Sequence, residues 1–290
     1  MSTSITPAAT GITSDARAGT SRMSLFHGSR PIKRWRYVAI FGEELMGCAA
    51  QVQIGPARQS FWAILPRPGG RLRERTHMLL RRDTVELQHG RASGEQAALG
   101  RLRIDDQGIL LDLVLEEEAG IEADCPHGSD RVWTRKQAGI AASGTLSLDG
   151  GPSREIRARA VIDDTAGYHA RRTEWWWTAG VGEDDDGAAI AWNLVRGVND
   201  PPSGSERAVW VGGEPRETPP VDFAADLSCI RCEDGSELRF LAEAERCRRD
   251  NLLVFKSDYR APFGTFSGTL PGAIPLARGL GVVEHHRALW

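Results

Sequence analysis

The sequence predicts an all-β chain of two tandem, related, antiparallel β-rich halves packed together, each half a barrel or a sandwich. Three observations carry that expectation. Short alternating or β-branched runs recur along the chain, turns rich in Gly, Pro and Asp separate them, and a series of short motifs appears twice in the same order.

In the first half Trp35, Tyr37 and Ala39 alternate with Arg34, Arg36 and Val38, the period of a strand with two unlike faces. Further strands are expected at 61–65, 84–87, 99–104, 109–115, 132–137 and 144–148. In the second half they are expected at 175–181, 188–194, 208–211, 252–256 and 263–270. Asp149-Gly150-Gly151, Asp186-Gly187 and Asp234-Gly235 are turn signals. Segment 237–249 has helical composition, but the period-two placement of Leu238, Phe240 and Ala242 favours a strand.

The doubled motifs begin with Gly42-Glu43-Glu44, matched by Gly182-Glu183-Asp184, each after a tryptophan-bearing run (Trp35; Trp175 to Trp177). Trp62 then matches Trp210, Asp106-Gln107-Gly108 matches Asp234-Gly235, and Ser129-Asp130 matches Ser257-Asp258. Ser143-Gly144-Thr145-Leu146 recurs as Ser267-Gly268-Thr269-Leu270. The order is kept while the spacing drifts, as loop changes between two copies would produce. The expected division is a disordered tail at 1–22, a first half at 23–152 and a second at 153–290.

At 290 residues, 41% hydrophobic and 26% charged, the chain has the makings of a sizeable core. A net charge of −3 argues against nucleic acid as a partner. The basic stretch Arg71, Arg73, Arg75, Arg81 and Arg82 fits a solvated rim better than a phosphate track. No run approaches the roughly 20 apolar residues of a membrane span, and 1–22 has no apolar signal core. The cysteines, Cys48, Cys125, Cys229, Cys232 and Cys247, are odd in number and lack framework spacing, so free thiols in the cytoplasm are expected. Peripheral membrane contact and the oligomeric state stay open.

Several stretches together resemble one bacterial family. They are Lys33-Arg34-Trp35-Arg36-Tyr37-Val38, Val132-Trp133-Thr134-Arg135-Lys136-Gln137-Ala138-Gly139, Ile162-Asp163-Asp164-Thr165-Ala166-Gly167-Tyr168-His169 and Ala191-Trp192-Asn193-Leu194. The last runs Ser257-Asp258-Tyr259-Arg260, then Pro262-Phe263-Gly264-Thr265-Phe266-Ser267-Gly268-Thr269-Leu270-Pro271. The family is the one called Domain of Unknown Function 2804, a name without an activity. In architecture and residue character the chain is more remotely similar to the lipocalin-like group of carotenoid hydratases and tocopherol cyclases. That resemblance implies lipocalin-like (calycin-type) halves, a ligand between or inside them, and cofactor-free acid chemistry on an isoprenoid double bond.

The densest candidate cluster is 163–177. Asp163 and Asp164 precede Gly167-Tyr168-His169, then Arg171, Arg172, Glu174 and three successive tryptophans. Two readings fit it: a turn followed by tryptophans that pack the halves together, or a buried acid beside aromatics. Burial raises a carboxyl pKa and keeps the acid protonated, and tryptophan faces stabilise the cation formed on protonating an alkene. On the second reading Asp163 or Asp164 is the acid and His169 its orienting partner or the base for a water. Trp175 and Trp177 share one strand face; Trp176 takes the other.

Ligand-contact candidates are His127, Trp133, Arg135, Tyr168, Trp175, Trp177, Asn193, Asp258, Tyr259, Arg260 and His286. Arg135 or Arg260 could hold a ligand carboxylate or phosphate, and a structural Arg135–Asp258 pair fits equally. His285 and His286 are adjacent on a strand and do not converge on one ion, so no metal is expected. Cys229 and Cys232 fit ordinary strand thiols. The chain has no G-x-S-x-G elbow, phosphate loop or dinucleotide fingerprint in a β-α-β setting.

The expected function is binding of a largely apolar, isoprenoid- or lipid-like compound, with cofactor-independent hydration, isomerisation or cyclisation. A non-catalytic carrier and a structural module are its rivals. An apolar cavity containing one of the aspartates favours the enzyme; one lined only by apolar groups favours the carrier.

Overall fold

A computed structural model of the chain describes residues 23–78, 84–93, 96–252 and 255–289. The expected tail at 1–22, Arg81 and Arg82 lie outside these residues. The described residues form strands and turns without a helix, and no helix is long and apolar enough to cross a membrane.

A small hairpin, β1 (Phe26–His27) and β2 (Arg30–Pro31), precedes two large antiparallel sheets. The first contains β3 (Lys33–Phe41), β4 (Leu45–Ile54), β5 (Ala57–Pro66), β6 (Arg73–His77), β7 (Val85–Ser93), β8 (Gln96–Asp106) and β9 (Ile109–Glu117). It continues with β10 (Ile121–His127), β11 (Asp130–Leu148) and β12 (Arg154–Gly167). The second contains β13 (Arg172–Glu183), β14 (Ala189–Arg196), β15 (Ala208–Val211), β16 (Glu214–Glu217) and β17 (Val221–Phe223). It ends with β18 (Cys229–Cys232), β19 (Glu237–Leu252), β20 (Phe255–Leu270) and β21 (Ile274–Leu289).

Strand order in the first sheet is β6-β5-β4-β3-β12-β11-β9-β8-β7, with β10 added beside β11; in the second it is β16-β15-β14-β13-β21-β20-β19-β18-β17. Apart from β10 the two are the same meander, in which the first strand pairs with the last. Both curl into half-barrels. Gln51 of β4 donates to the carbonyl of Val85 in β7 at 2.9 Å, and on the equivalent strands Arg196 of β14 pairs with Asp222 of β17 at 3.2 Å.

The duplication is therefore present in the topology, and register shows which motif pairs are equivalent. Tyr37 faces Asp163 across β3 and β12, and Trp177 faces Glu284 across β13 and β21. Ser143 and Ser267 occupy matching positions on β11 and β20, paired with β9 and β19. Trp62 and Trp210 are not equivalent: Trp62 packs inside the first half-barrel and Trp210 between the two. Ser129 lies in the β10–β11 turn, whereas Ser257 is inside β20. The crossing between sheets falls at 168–171, after β12 rather than near 152, because β12 closes the first meander against β3. The expected strand at 252–256 is instead divided between β19 and β20, with 253–254 outside the described residues.

Strand alternation sends Val38 and Ile40 into the first half-barrel with Trp62, Leu102, Leu111 and Ile162. Trp192, Leu194, Phe240, Phe266 and Val283 fill the second. The opposite faces, with Tyr37, Ala39, Phe41 and Val161 on one side and Trp177, Ala179, Phe263 and Val282 on the other, pack the halves together. The central strands are thus buried on both faces. Each large side chain so buried contributes roughly 1.5–3 kcal/mol. Polar ties cross the same interface: Arg159 donates to the carbonyls of Gly182 and Ile190 at 2.9 and 3.0 Å, and Arg67 pairs with Glu243 at 2.8 Å. All five cysteines are free.

The second core depends on a missing side chain at Gly180. A Cβ there would lie 2.2 Å from Cζ2 of the buried Trp192 and 2.6 Å from the Leu280 carbonyl. Gly180→Ala is expected to lower stability by about 1–3 kcal/mol through overpacking, read as a lower urea midpoint with unchanged slope.

Candidate functional site

The interface between the half-barrels opens into a cavity of about 170 Å³ lined from both sheets, and concave spaces of this kind are where small ligands bind. Trp35 and Tyr37 reach it from β3, Phe61 from β5, Trp175 and Trp177 from β13, and Tyr259 from β20. Among these rings stand Asp163 of β12, Glu284 and His286 of β21, Lys136 of β11, and His169 and Glu206 of the connecting loops.

Two of the polar groups are related by the internal repeat. Trp35 Nε1 donates to Asp163 at 3.0 Å, and its counterpart Trp175 Nε1 donates to Glu284 at 2.7 Å. Their surroundings differ. Lys136 Nζ lies 2.7 Å from Asp163 and 3.3 Å from Glu206, and the Thr165 hydroxyl also donates to Asp163, at 2.8 Å. Burial acts to lower the Lys136 pKa, but the charges of Asp163 and Glu206 outweigh it and hold the ammonium protonated. Burial pushes the Glu206 carboxyl up against the pull of Lys136.

Glu284 has no such cation in contact. Burial raises its pKa to about 7; hydrogen bonds from Trp175 and Tyr259 and the charge of Arg246 only partly oppose this, and the Asp163 charge adds to it. One half therefore presents an ion-paired carboxylate and the other a carboxyl that carries its proton up to neutral pH.

The nearby rings are neutral. Burial lowers His286 to about 3; its Nε2 shares a 2.7 Å hydrogen bond with Ser257, and its ring packs 4.3 Å from Trp175. Burial, then the charges of Lys33 and His127, hold His169 well below the usual histidine range, beside Trp35 at 5.1 Å. Burial raises the Tyr37 and Tyr259 hydroxyls well above theirs. The Arg246 guanidinium lies 4.3 Å from the Phe61 ring and 4.9 Å from the Tyr259 ring, paired with Glu74 at 3.0 Å.

Of the residues singled out in the sequence, Asp163, His169, Trp175, Trp177, Tyr259 and His286 line the cavity. Asp164 does not. As the next strand residue it points to the opposite face, into the first half-barrel, where Arg36 donates to both of its oxygens at 2.8 and 2.9 Å. Arg135 joins that buried network, 3.2 Å from Glu117, so it holds no cavity ligand and makes no pair with Asp258. Asp258 pairs with Arg249 at 2.8 Å, and Arg260 with Glu245 at 2.6 Å, on the outer surface. Trp133 Nε1 donates to Glu122 at 2.9 Å, and the Tyr168 hydroxyl donates to the Ser24 carbonyl at 2.8 Å. Asn193 and His127 stand behind the wall. Asn193 accepts from Trp177 Nε1 at 2.8 Å; His127 bonds Asn199 at 3.1 Å and packs against His169.

Glu284, Lys136, Glu206, Tyr37 and Trp35 belong to the cavity without having been among the expected catalytic or ligand-contact residues. The signals were present: strand period puts Glu284 on the face of His286, and the repeat puts Trp35 and Tyr37 where Trp175 and Trp177 stand. Glu206 had no signal, since its place depends on the loop between β14 and β15. His285 turns away from His286, stacks on Trp176 at 4.6 Å and bonds Glu174 at 2.9 Å. Among the described residues no three His, Cys, Asp or Glu side chains could together hold a metal ion.

Two curled half-barrels with an acid-bearing aromatic cavity between them define a double lipocalin-like protein. The chain belongs to the family described as Domain of unknown function (DUF2804), whose model matches residues 102–290. No curated protein matches it. The fold is similar to that of a Nitrosomonas europaea protein solved as a candidate AttH, with TM-score 0.54 and 15% identity over 90% of this chain and 93% of that one. It is also similar to kievitone hydratase from Nectria haematococca, with TM-score 0.52 and 12% identity over 87% and 88%.

Two stability measurements test this electrostatic arrangement. Lys136→Met leaves Asp163 and Glu206 without their cation and is expected to cost about 3–5 kcal/mol in urea unfolding at pH 7. Glu284 is protonated in the fold up to about pH 7 but only to about pH 4.3 when unfolded. Its contribution is therefore full below the unfolded value and lost as pH rises through 7. Between pH 4 and pH 8 the wild type should lose about 3 kcal/mol more than Glu284→Gln. Equal losses would place the Glu284 pKa near its ordinary value.

Proposed function

We propose that the protein binds a largely apolar, isoprenoid- or lipid-like compound in this cavity and hydrates, isomerises or cyclises it by acid chemistry. The observation that carries the proposal is Glu284, a buried carboxyl facing an apolar cavity and bonded to Trp175 and Tyr259. The presence of Asp163 in the same cavity favours chemistry over simple carriage, and the hydratase activity in the name of one structural neighbour fits the same reading.

In this scheme Glu284 donates its proton to one carbon of a double bond, and positive charge develops on the other. The faces of Trp175, Trp177 and Trp35 stabilise that charge by cation–π attraction in a water-poor space. Hydration follows when water adds to the cation and yields a proton to Asp163. Cyclisation follows when an internal hydroxyl adds and yields its proton to Asp163, and isomerisation when an adjacent C–H bond gives its proton to Asp163. Proton return from Asp163 to Glu284 through solvent resets the site. In this scheme Glu284 takes the acid role that the sequence suggested for Asp163 or Asp164, and Asp163 is the base; His169, held neutral, positions Trp35 and the substrate.

The test begins with native mass spectrometry of protein from its own host, which identifies the retained compound for use as substrate. Glu284→Gln should retain binding while turnover falls about 10²–10⁴-fold. Wild-type turnover should decline as pH rises past about 7, where Glu284 loses its proton. Full turnover by Glu284→Gln would remove it as the acid, and retention of the compound without turnover by the wild type would leave a carrier.

A further inference from the structure

Every cation on the cavity wall already has a carboxylate of its own. Lys136 is held by Asp163 and Glu206, Arg246 by Glu74 at 3.0 Å, and Arg248 by Asp250, with two contacts at 2.7 and 2.8 Å. The histidines that line the cavity are neutral. Among the described residues no wall group is thus left to neutralise an anion, and an ionised ligand would enter a low-dielectric space uncompensated, at a cost that usually excludes it. Two neutral polar groups on the wall, by contrast, lack full partners. His169 Nδ1 is buried without a hydrogen bond, and the Tyr37 hydroxyl, beside the weakly bonding Cys48 thiol, has no other hydrogen-bond partner among the described residues.

From this pairing, and resting on the proposed reading of the cavity as a ligand site, we infer that the ligand is an uncharged apolar molecule carrying a hydroxyl or carbonyl group. Its polar group meets Tyr37 or His169 while the hydrocarbon lies among the tryptophans. Free fatty acids and prenyl diphosphates are excluded as substrates by charge, whatever their chain length. Arg248 and Asp250 stand at the half-exposed side of the cavity, so their mutual pairing denies an acid that arginine.

Isothermal titration calorimetry at pH 7 with farnesene, farnesol and farnesoic acid tests the inference, because the three share a chain and differ in the end group. Farnesol should bind at least tenfold more tightly than the acid and measurably more tightly than the hydrocarbon. Asp250→Asn, which frees Arg248, should narrow the gap by improving the acid. Farnesoic acid binding as well as farnesol to the wild type would overturn the uncharged ligand yet keep the cavity as an apolar site. Farnesene matching farnesol would overturn the hydroxyl or carbonyl requirement. Binding of none of the three would remove the cavity reading itself, and this inference with it.

Discussion

Lys136 lies between two carboxylates from different halves, and much of the molecule's organisation follows from how that ammonium is held. Asp163 is on the last strand of the first meander, and Glu206 is in a loop of the second. A buried ammonium without partners would be strongly disfavoured, so the halves must meet in the register that brings Glu206 to it. The apolar faces around the cluster are less discriminating. Alanines, valines and phenylalanines from either sheet can bury area in several arrangements, whereas a buried ion cluster is satisfied in very few. The hydrophobic interface supplies the attraction, and the cluster selects one geometry.

That selection also divides the chemistry. The repeat places a tryptophan–carboxyl pair on each central strand couple, Trp35 with Asp163 and Trp175 with Glu284. Had both copies kept the same neighbours, the two carboxyl groups would have like surroundings and neither would be specialised. A lysine beside one and tyrosine and histidine beside the other break the equivalence. The Asp163 charge, fixed by Lys136, in turn adds to the upward push on Glu284. Duplication supplied two stations, and divergence of a few neighbours made them unlike.

The sequence disclosed the fold more fully than the site. Strand period, turn residues and the ordered repeat identified two related β meanders. Even the ambiguous segment at 237–249 resolved as β19 once period was preferred over composition. The last repeated motif, at Ser143 to Leu146, suggests a join near Asp149-Gly150-Gly151, but β12 follows that turn and still belongs to the first sheet. The turn is the tight one between β11 and β12, with Asp149 and Gly150 both at positive φ. In the site, period two separates Asp163 from Asp164 and Trp175 from Trp176, yet it leaves open which face meets the partner half. That choice is made by packing between residues more than a hundred positions apart. Glu284 shares a strand face with His286, and the register of β21 against β13 sets it opposite Trp177 while His285 lies opposite Trp176.

The apolar packing that joins the halves and the acidity of the cavity share one physical origin. Tyr37, Trp177 and Tyr259 belong both to the core between the halves and to the cavity wall. By excluding water they stabilise the association, and by the same exclusion they keep Glu284 protonated and strip solvent from any cation formed nearby. Neither half-barrel alone could hold a carboxyl in that state, since its outer face would be wet. Loosening the interface would therefore lower the Glu284 pKa before it unfolded either half, coupling the strength of the acid to the closeness of the two sheets.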